Sequence, residues 1–217
     1  MLILLYMNNL KFLKFKSTDQ LWFFSDPHFG HKNICLGTTN WQGENRKNCR
    51  DFTTVEEMDA TIINNINNMV GLNDILFCLG DWCFAGENKI AEYRSRIVCQ
   101  NLHLVLGNHD KDIRQHEKHQ HVFSSVRDYL EINVDEQHVI MQHFPIESWN
   151  RMHRGSYHFF GHQHLPASIK LRPGKKIDVG VDGNNFQPYS WKELDNLLKD
   201  RVSTVDHHHK DRQTMEM

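Results

Sequence analysis

Short apolar runs recur along the chain, and several end alike. Leu21-Trp22-Phe23-Phe24, Ile75-Leu76-Phe77-Cys78-Leu79, Leu102-His103-Leu104-Val105-Leu106 and Tyr157-His158-Phe159-Phe160 have the length and content of buried strands. Each runs into a small residue or tight turn and then into Asp, Asn or His. Leu10 to Phe15 mixes apolar and basic residues, close to the period-two pattern of a half-exposed strand. Segments 127–134 and 137–143, parted by Asp135-Glu136, read as a β-hairpin, and Ser168–Leu171 and Ile177–Val181 as two further strands. The apolar start, Met1 to Met7, is too short to cross a bilayer and lacks the features of a signal peptide. It reads as an edge strand or a frayed terminus.

Helical periods lie between these runs. Thr53 or Thr54 precedes Glu56 or Glu57 in a capping-box pattern. Val55, Met58, Ile62, Ile63, Ile66 and Met69 then repeat on one face, which predicts a helix over 54–70 ended by Gly71. Residues 87–97 read as a second helix and Lys111 to His121 as a charged short helix or loop. Ser190 with Glu193 opens a last helix through about Lys199. Residues 29–51 are polar, with Gly30, Gly37 and Gly43, and predict a long surface loop of the kind that commonly serves function. No repeat or linker divides the chain. One α/β domain over 1–201 is expected, followed by a polar, disordered tail over 202–217, where His207-His208-His209 reads as tail composition or a purification remnant.

Composition changes this picture little. Apolar residues make up 39% and charged residues 24% of the 217, with a net charge of −2. These values suit a globular protein, and nothing in the overall charge suggests a constitutive nucleic-acid or membrane-surface binder. Five cysteines, Cys35, Cys49, Cys78, Cys83 and Cys99, include no CxxC pair, which fits a reducing cytosol rather than a disulfide framework or zinc ribbon. The unusual count is 16 histidines.

Those histidines bear on chemistry because of where they fall. Five strand ends carry Asp26 and His28, Asp81, Asn108 and His109, His143, and His162 and His164. In extended backbone, residues i and i+2 project to one side, so the Asp26/His28 and His162/His164 pairs each present two ligands together. With His109 set aside, the set is two carboxylates, an amide oxygen and four imidazoles, without a thiolate. One metal rarely takes seven such ligands, whereas two metals sharing a carboxylate would, and Asp81 stands alone at its strand end.

Asp26-Pro27-His28, Gly80-Asp81, Gly107-Asn108-His109-Asp110, His143 and Gly161-His162-Gln163-His164 come in the order found in the calcineurin-like metallophosphoesterases, which the chain resembles from about residue 21 to 190. It looks most like small single-domain bacterial and phage members. The resemblance implies a four-layer α/β/β/α sandwich with mixed sheets and a dinuclear centre. It implies one metal held by Asp26, His28, Asp81 and His164, and a second by Asp81, Asn108, His143 and His162. His109 would be the unligated histidine that protonates the leaving oxygen or stabilises phosphoryl charge. Two divalent cations about 3.5–4 Å apart would acidify a shared water from a pKa of about 15.7 toward 7, giving a hydroxide that attacks phosphorus. Manganese is the family expectation, and the ligand set also suits Fe, Zn, Co or Ni.

The resemblance has one departure. Phosphoprotein phosphatases continue their Gly-Asp block with an aspartate that supports the catalytic histidine, and Gly80-Asp81-Trp82-Cys83-Phe84-Ala85-Gly86 lacks it. A dedicated protein phosphatase is therefore not expected. The expected activity is a cytoplasmic metallophosphoesterase, foremost a phosphodiesterase on small or nucleotide-like esters. A phosphomonoesterase, a dinucleoside-polyphosphate hydrolase, a nuclease and a non-catalytic scaffold are the alternatives. His31 and Arg151 are candidate substrate contacts. Asp110 either orients His109 or is a solvated loop carboxylate. Asp178 and Asp182 read as structural.

Overall fold

Two mixed sheets organise the computed structural model, which describes residues 12–203. The strands are β1 (Phe12–Phe15), β2 (Leu21–Phe24), β3 (Ile75–Cys78), β4 (Asn101–Val105), β5 (Ser125–Arg127), β6 (Leu130–Val134), β7 (Gln137–Met141), β8 (Tyr157–Phe160), β9 (Leu171–Arg172), β10 (Lys176–Asp178) and β11 (Tyr189–Ser190). One sheet runs β11-β2-β3-β4-β5, with β2 to β5 parallel and β11 antiparallel at its edge. The other runs β1-β6-β7-β8-β10-β9, in which β6–β7 and β10–β9 are antiparallel and the remaining pairs parallel. Helices are α1 (Glu44–Lys47), α2 (Val55–Met69), α3 (Ile90–Ser95), α4 (Lys111–Gln115), α5 (Glu117–Gln120) and α6 (Trp191–Leu198). None of them is long and apolar enough to cross a membrane.

Burial explains the layering. Alternate residues of the parallel strands point to opposite faces. Phe24, Leu76, Cys78, Leu102 and Leu104 share a core with Met58, Ile62 and Ile66 of α2. Phe23, Phe77, Leu79 and Val105 join Ile132, Val139, Met141, Tyr157 and Phe159 of the other sheet in a second core, edged by Trp191, Leu194 and Leu198 of α6. The outer face of the six-stranded sheet is covered by Ile140, Trp149 and Met152, with Ile146 packed against them. That last layer is loop and a 3₁₀ turn over Met152–Arg154, so among the described residues the fourth layer is not α-helical.

Several expected elements take a different form. The segment expected as one strand over 127–134 is divided, because Ser125–Arg127 pairs with β4 in one sheet and Leu130–Val134 with β7 in the other. The hairpin turn lies at Asp135 and Glu136, with φ of 44° and 72°. The second helix opens as a 3₁₀ turn over Glu87–Lys89 before α3. Thr54 caps α2 by accepting from the Glu57 N–H, while Glu57 reaches back one residue further, to the Thr53 N–H. Ser190 and Glu193 form the full capping box expected of α6. The expectations for Met1 to Met7, for most of the tail and for the start of the strand at Leu10 lie outside the described residues.

Two buried histidines outside the strand ends are polar groups of this core. His103 stacks on Phe77 and pairs with the Ser125 hydroxyl at 2.8 Å. His158 lies between Ile140 O and Ile146 N–H. Burial pushes both down to about 4, so the fold holds them neutral while the unfolded chain takes up protons below about 6.5. Stability is therefore expected to be lost as pH falls from about 6.5 toward 4, at up to about 1.4 kcal/mol per pH unit for each histidine. Denaturant unfolding at pH 7, 6 and 5 checks this, and His103→Gln should show the shallower slope.

Candidate metal centre

The parallel strands β2, β3 and β4 and the parallel pair β7 and β8 all discharge their carboxyl ends at one rim of the sandwich. Backbone pairing continues beyond the strands: Asp26 N–H donates to Gly80 O at 3.0 Å, and His28 N–H to Asp81 O at 3.1 Å. Gly161 N–H donates to His143 O at 2.9 Å in the other sheet, and Ser25 pairs with Gly180 across the two. The ligand-bearing loops are thus tied to one another before any side chain is considered.

The pairs converge by a different route from the extended one expected. Asp26, His28, Asp81, His162 and His164 have φ of 57°, 50°, 56°, 69° and 49°. These are left-handed conformations that cost a residue bearing a Cβ about 1–3 kcal/mol each when the surroundings must impose them. Such strain concentrates where side-chain direction serves function.

Two groups result. Asp26, His28 and His164 bring their donor atoms within 4.8 Å of one another, as do Asp81, His143 and His162. Asp81 lies between them, its Oδ2 at 3.6 Å from His28 Nε2 and 3.4 Å from His143 Nε2. Asn108 Oδ1 sits 3.0 Å from both His143 Nε2 and His162 Nδ1. The seven residues named from the sequence thus lie together at one rim, with Asp81 between the two triads and Asn108 beside the second.

The donor set fits divalent cations, as its own polar atoms show. Asp26 Oδ1 is buried without a hydrogen-bond partner, though His28 and His164 Nε2 lie 3.8 and 3.7 Å away. A buried carboxylate oxygen left this way is costly unless a cation or proton answers it. His143 Nδ1 donates to Leu79 O at 2.8 Å, which turns Nε2 and its lone pair toward Asp81 and Asn108. Burial opposes a charge on His143, yet the carboxylates of Asp81 and Asp26 outweigh it and raise its pKa to about 9. Burial alone would raise Asp81 too, but His143 and the His109 N–H outweigh it and hold its carboxyl below the ordinary range.

Supporting groups orient these donors, and some were misread in the sequence. Asp182 is not merely structural: its Oδ2 accepts from His164 Nδ1 at 2.9 Å, so Nε2 faces Asp26. Arg50, from the long loop, grips Asp182 with Nε and Nη2 at 2.8 and 2.7 Å and donates to Pro27 O and Asp26 O. Burial would raise Asp182, but Arg50 and His164 hold it well below the carboxylate range. No motif marks Arg50, which only the folding of the loop brings to Asp182. Asp110 neither orients His109 nor meets solvent. It is buried and accepts from Asp81 N–H, Trp82 N–H and Gly107 N–H at 2.8, 2.9 and 2.8 Å, locking one ligand loop to the next. Gly107 and Gly161 give room rather than a left-handed turn, since a Cβ at either would collide with Asp81 or with Ser25 and Asp26.

Of the non-ligand candidates, His109 donates its N–H to Asp81 Oδ1 at 2.9 Å, and its ring lies 4.4 Å from Phe84 and 5.8 Å from His28. A cleft of about 790 Å³ opens beside it, lined also by His31, Lys32, Asn33 and Trp41. Arg151 is not brought there: it is bonded to His138, at the opposite end of β7 from His143.

The chain is 32% identical over 190 residues to an uncharacterised protein of Methanocaldococcus jannaschii, across 84% of this chain and 92% of that protein. It is 26% identical to the gene 66 protein of Mycobacterium phage L5, across 74% and 86%. A protein of unknown function from Aquifex aeolicus shares the fold with a TM-score of 0.60 at 22% identity, over 83% of this chain and 100% of that one. No protein-family model matches the chain. Two mixed sheets and two Asp/His donor groups at one rim are the arrangement that the resemblance to the calcineurin-like metallophosphoesterases implies. The chain belongs to the family of the Methanocaldococcus protein.

The Asp110 arrangement generates a stability prediction. Asp110→Ala strands three buried N–H groups at about 1–3 kcal/mol each, so a loss of about 3 kcal/mol or more is expected in urea unfolding.

Proposed function

We propose that this chain is a dinuclear, metal-dependent phosphohydrolase acting foremost on phosphodiesters of small or nucleotide-like alcohols. The observation that carries the reading is the Asp81 carboxylate, shared between two nitrogen- and oxygen-donor groups at one sheet rim. Asp26, His28, Asp81 and His164 would hold one divalent cation, and Asp81, Asn108, His143 and His162 the other, manganese being the family expectation. When bound, such a pair supplies Lewis acidity to phosphate oxygens and to an attacking water.

The chain's own residues do the rest. Hydrolysis joins a water oxygen to phosphorus and breaks the bond to the leaving alcohol, which must collect a proton. His109 stands at the mouth of the cleft, beside the donor groups, and provides that proton. Its ring accepts no carboxylate support among the described residues; packing against Phe84 orients it instead. The neutral amide at Asn108 keeps the site's charge favourable to an anion.

Charge also favours diesters over monoesters. A monoester dianion gains from a further cation at the phosphate, and the guanidinium nearest the ligands, Arg50, is buried and committed to Asp182. The open cleft leaves room for a second ester substituent.

Bis-p-nitrophenyl phosphate and p-nitrophenyl phosphate, assayed with Mn²⁺, test the reading, the diester being cleaved faster. Asp81→Asn and His109→Ala should each lower kcat by about 10²–10⁴-fold. No cleavage of either ester, or no loss in these variants, rejects the reading. A second test needs no turnover: Asp182→Asn should weaken Mn²⁺ binding by about 10–100-fold in calorimetry, because His164 loses the carboxylate that directs it.

A further inference from the structure

The long loop over 29–51 does more than cover the strand ends. Its first half forms one wall of the cleft at the donor groups, and that wall is aromatic. From the ligand His28, rings continue outward without a break: Phe84 lies 5.1 Å away, His31 packs 4.0 Å from Phe84, and Trp41 meets His31 edge-on at 5.8 Å. His109, the proposed proton donor, borders the same path through Phe84.

This wall is pre-shaped. Arg50 N–H donates to Ile34 O, Leu36 N–H to Arg50 O and Gly37 N–H to Phe52 O, so the two ends of the loop are zipped together. The Arg50 side chain then fastens that zipper to Asp182 and to the Asp26-Pro27 backbone. His31 caps the 3₁₀ turn over Lys32–Ile34 by accepting from Ile34 N–H, and Trp41 N–H donates to Thr39 Oγ1. Rings held in this way need little ordering when a flat partner arrives.

The polar rim is sparse and of one kind. Asn33 spends its amide oxygen on Asn40 N–H, which leaves its NH₂ hydrogens to donate. Lys32, exposed at the mouth, makes no ion pair among the described residues. A lipid chain would find these donors at an open mouth unfavourable, and a bare sugar would offer the rings only C–H faces, without a π-face to stack. A purine or pyrimidine presents π-faces to the rings, ring-nitrogen or carbonyl acceptors to Asn33 and phosphate charge to Lys32.

We infer that the cleft lined by Phe84, His31 and Trp41 is a nucleobase subsite, so that the phosphoesters taken by this protein carry a nucleoside on the leaving-oxygen side. The inference rests on the phosphohydrolase reading for where the phosphate sits, and it assigns the loop its purpose: Trp41 and His31 select the alcohol, while the strand ends hold the phosphate. Asp182 and Arg50 serve both parts, since the same guanidinium fixes a ligand histidine and the cleft wall.

Calorimetric titration of the Mn²⁺-loaded full chain with AMP and with ribose 5-phosphate isolates the base. AMP is expected to bind on the order of tenfold tighter or more than ribose 5-phosphate. Trp41→Ala should abolish most of that difference while leaving ribose 5-phosphate affinity in place, and Trp41→Phe, which keeps a stacking face, should retain it. Equal affinities for the two ligands in the unmodified protein overturn the inference. So does an equal loss for both in Trp41→Ala, which would mark a structural role. Preferential AMP binding without cleavage of any phosphoester would sink the hydrolase reading and leave the base subsite standing.

Discussion

One buried carboxylate that two donor groups must share constrains everything around it. Asp81 lies within 3.6 Å of an imidazole on either side and also takes the His109 N–H. Its position is not a matter of side-chain choice alone. A left-handed backbone at Asp81, the absence of a Cβ at Gly107 and the three N–H groups gathered by Asp110 all serve to present it. The rest of the rim is arranged similarly, with backbone pairing between loops carrying the cost of strained residues whose side chains face inward.

The second dependency runs outward from His164. Its Nδ1 is tied to Asp182, and Asp182 to Arg50, which also holds the backbone before His28. A loop without regular structure over most of its length thereby becomes part of the centre. His164 and the aromatic wall share one brace, so a change at Arg50 would disturb both together.

The main elements were legible because their burial is periodic and local. Leu21 to Phe24, Ile75 to Cys78 and the repeat from Val55 to Met69 announce themselves, and Ser190 with Glu193 announces α6. That the seven residues would meet at one rim was also legible, since each follows an apolar run. Two readings of local geometry changed. Residues i and i+2 converge through positive φ, which residue type does not specify, and the 125–134 stretch is divided between two sheets, which depends on which partners are free.

What the sequence determined by itself, then, is which side chains end the core strands: hydrophobic burial dictates the strands, and chemistry-bearing residues follow them directly. What only the tertiary structure decided is how those ends are held. Asp110 and Asp182 look like ordinary loop carboxylates in sequence and turn out to be braces, because their partners are backbone N–H groups and an arginine 132 residues away from Asp182. Arg151, equally suggestive in sequence, is bonded at the far end of its sheet. Long-range hydrogen bonds leave no local period to read, so only the folded chain reveals them.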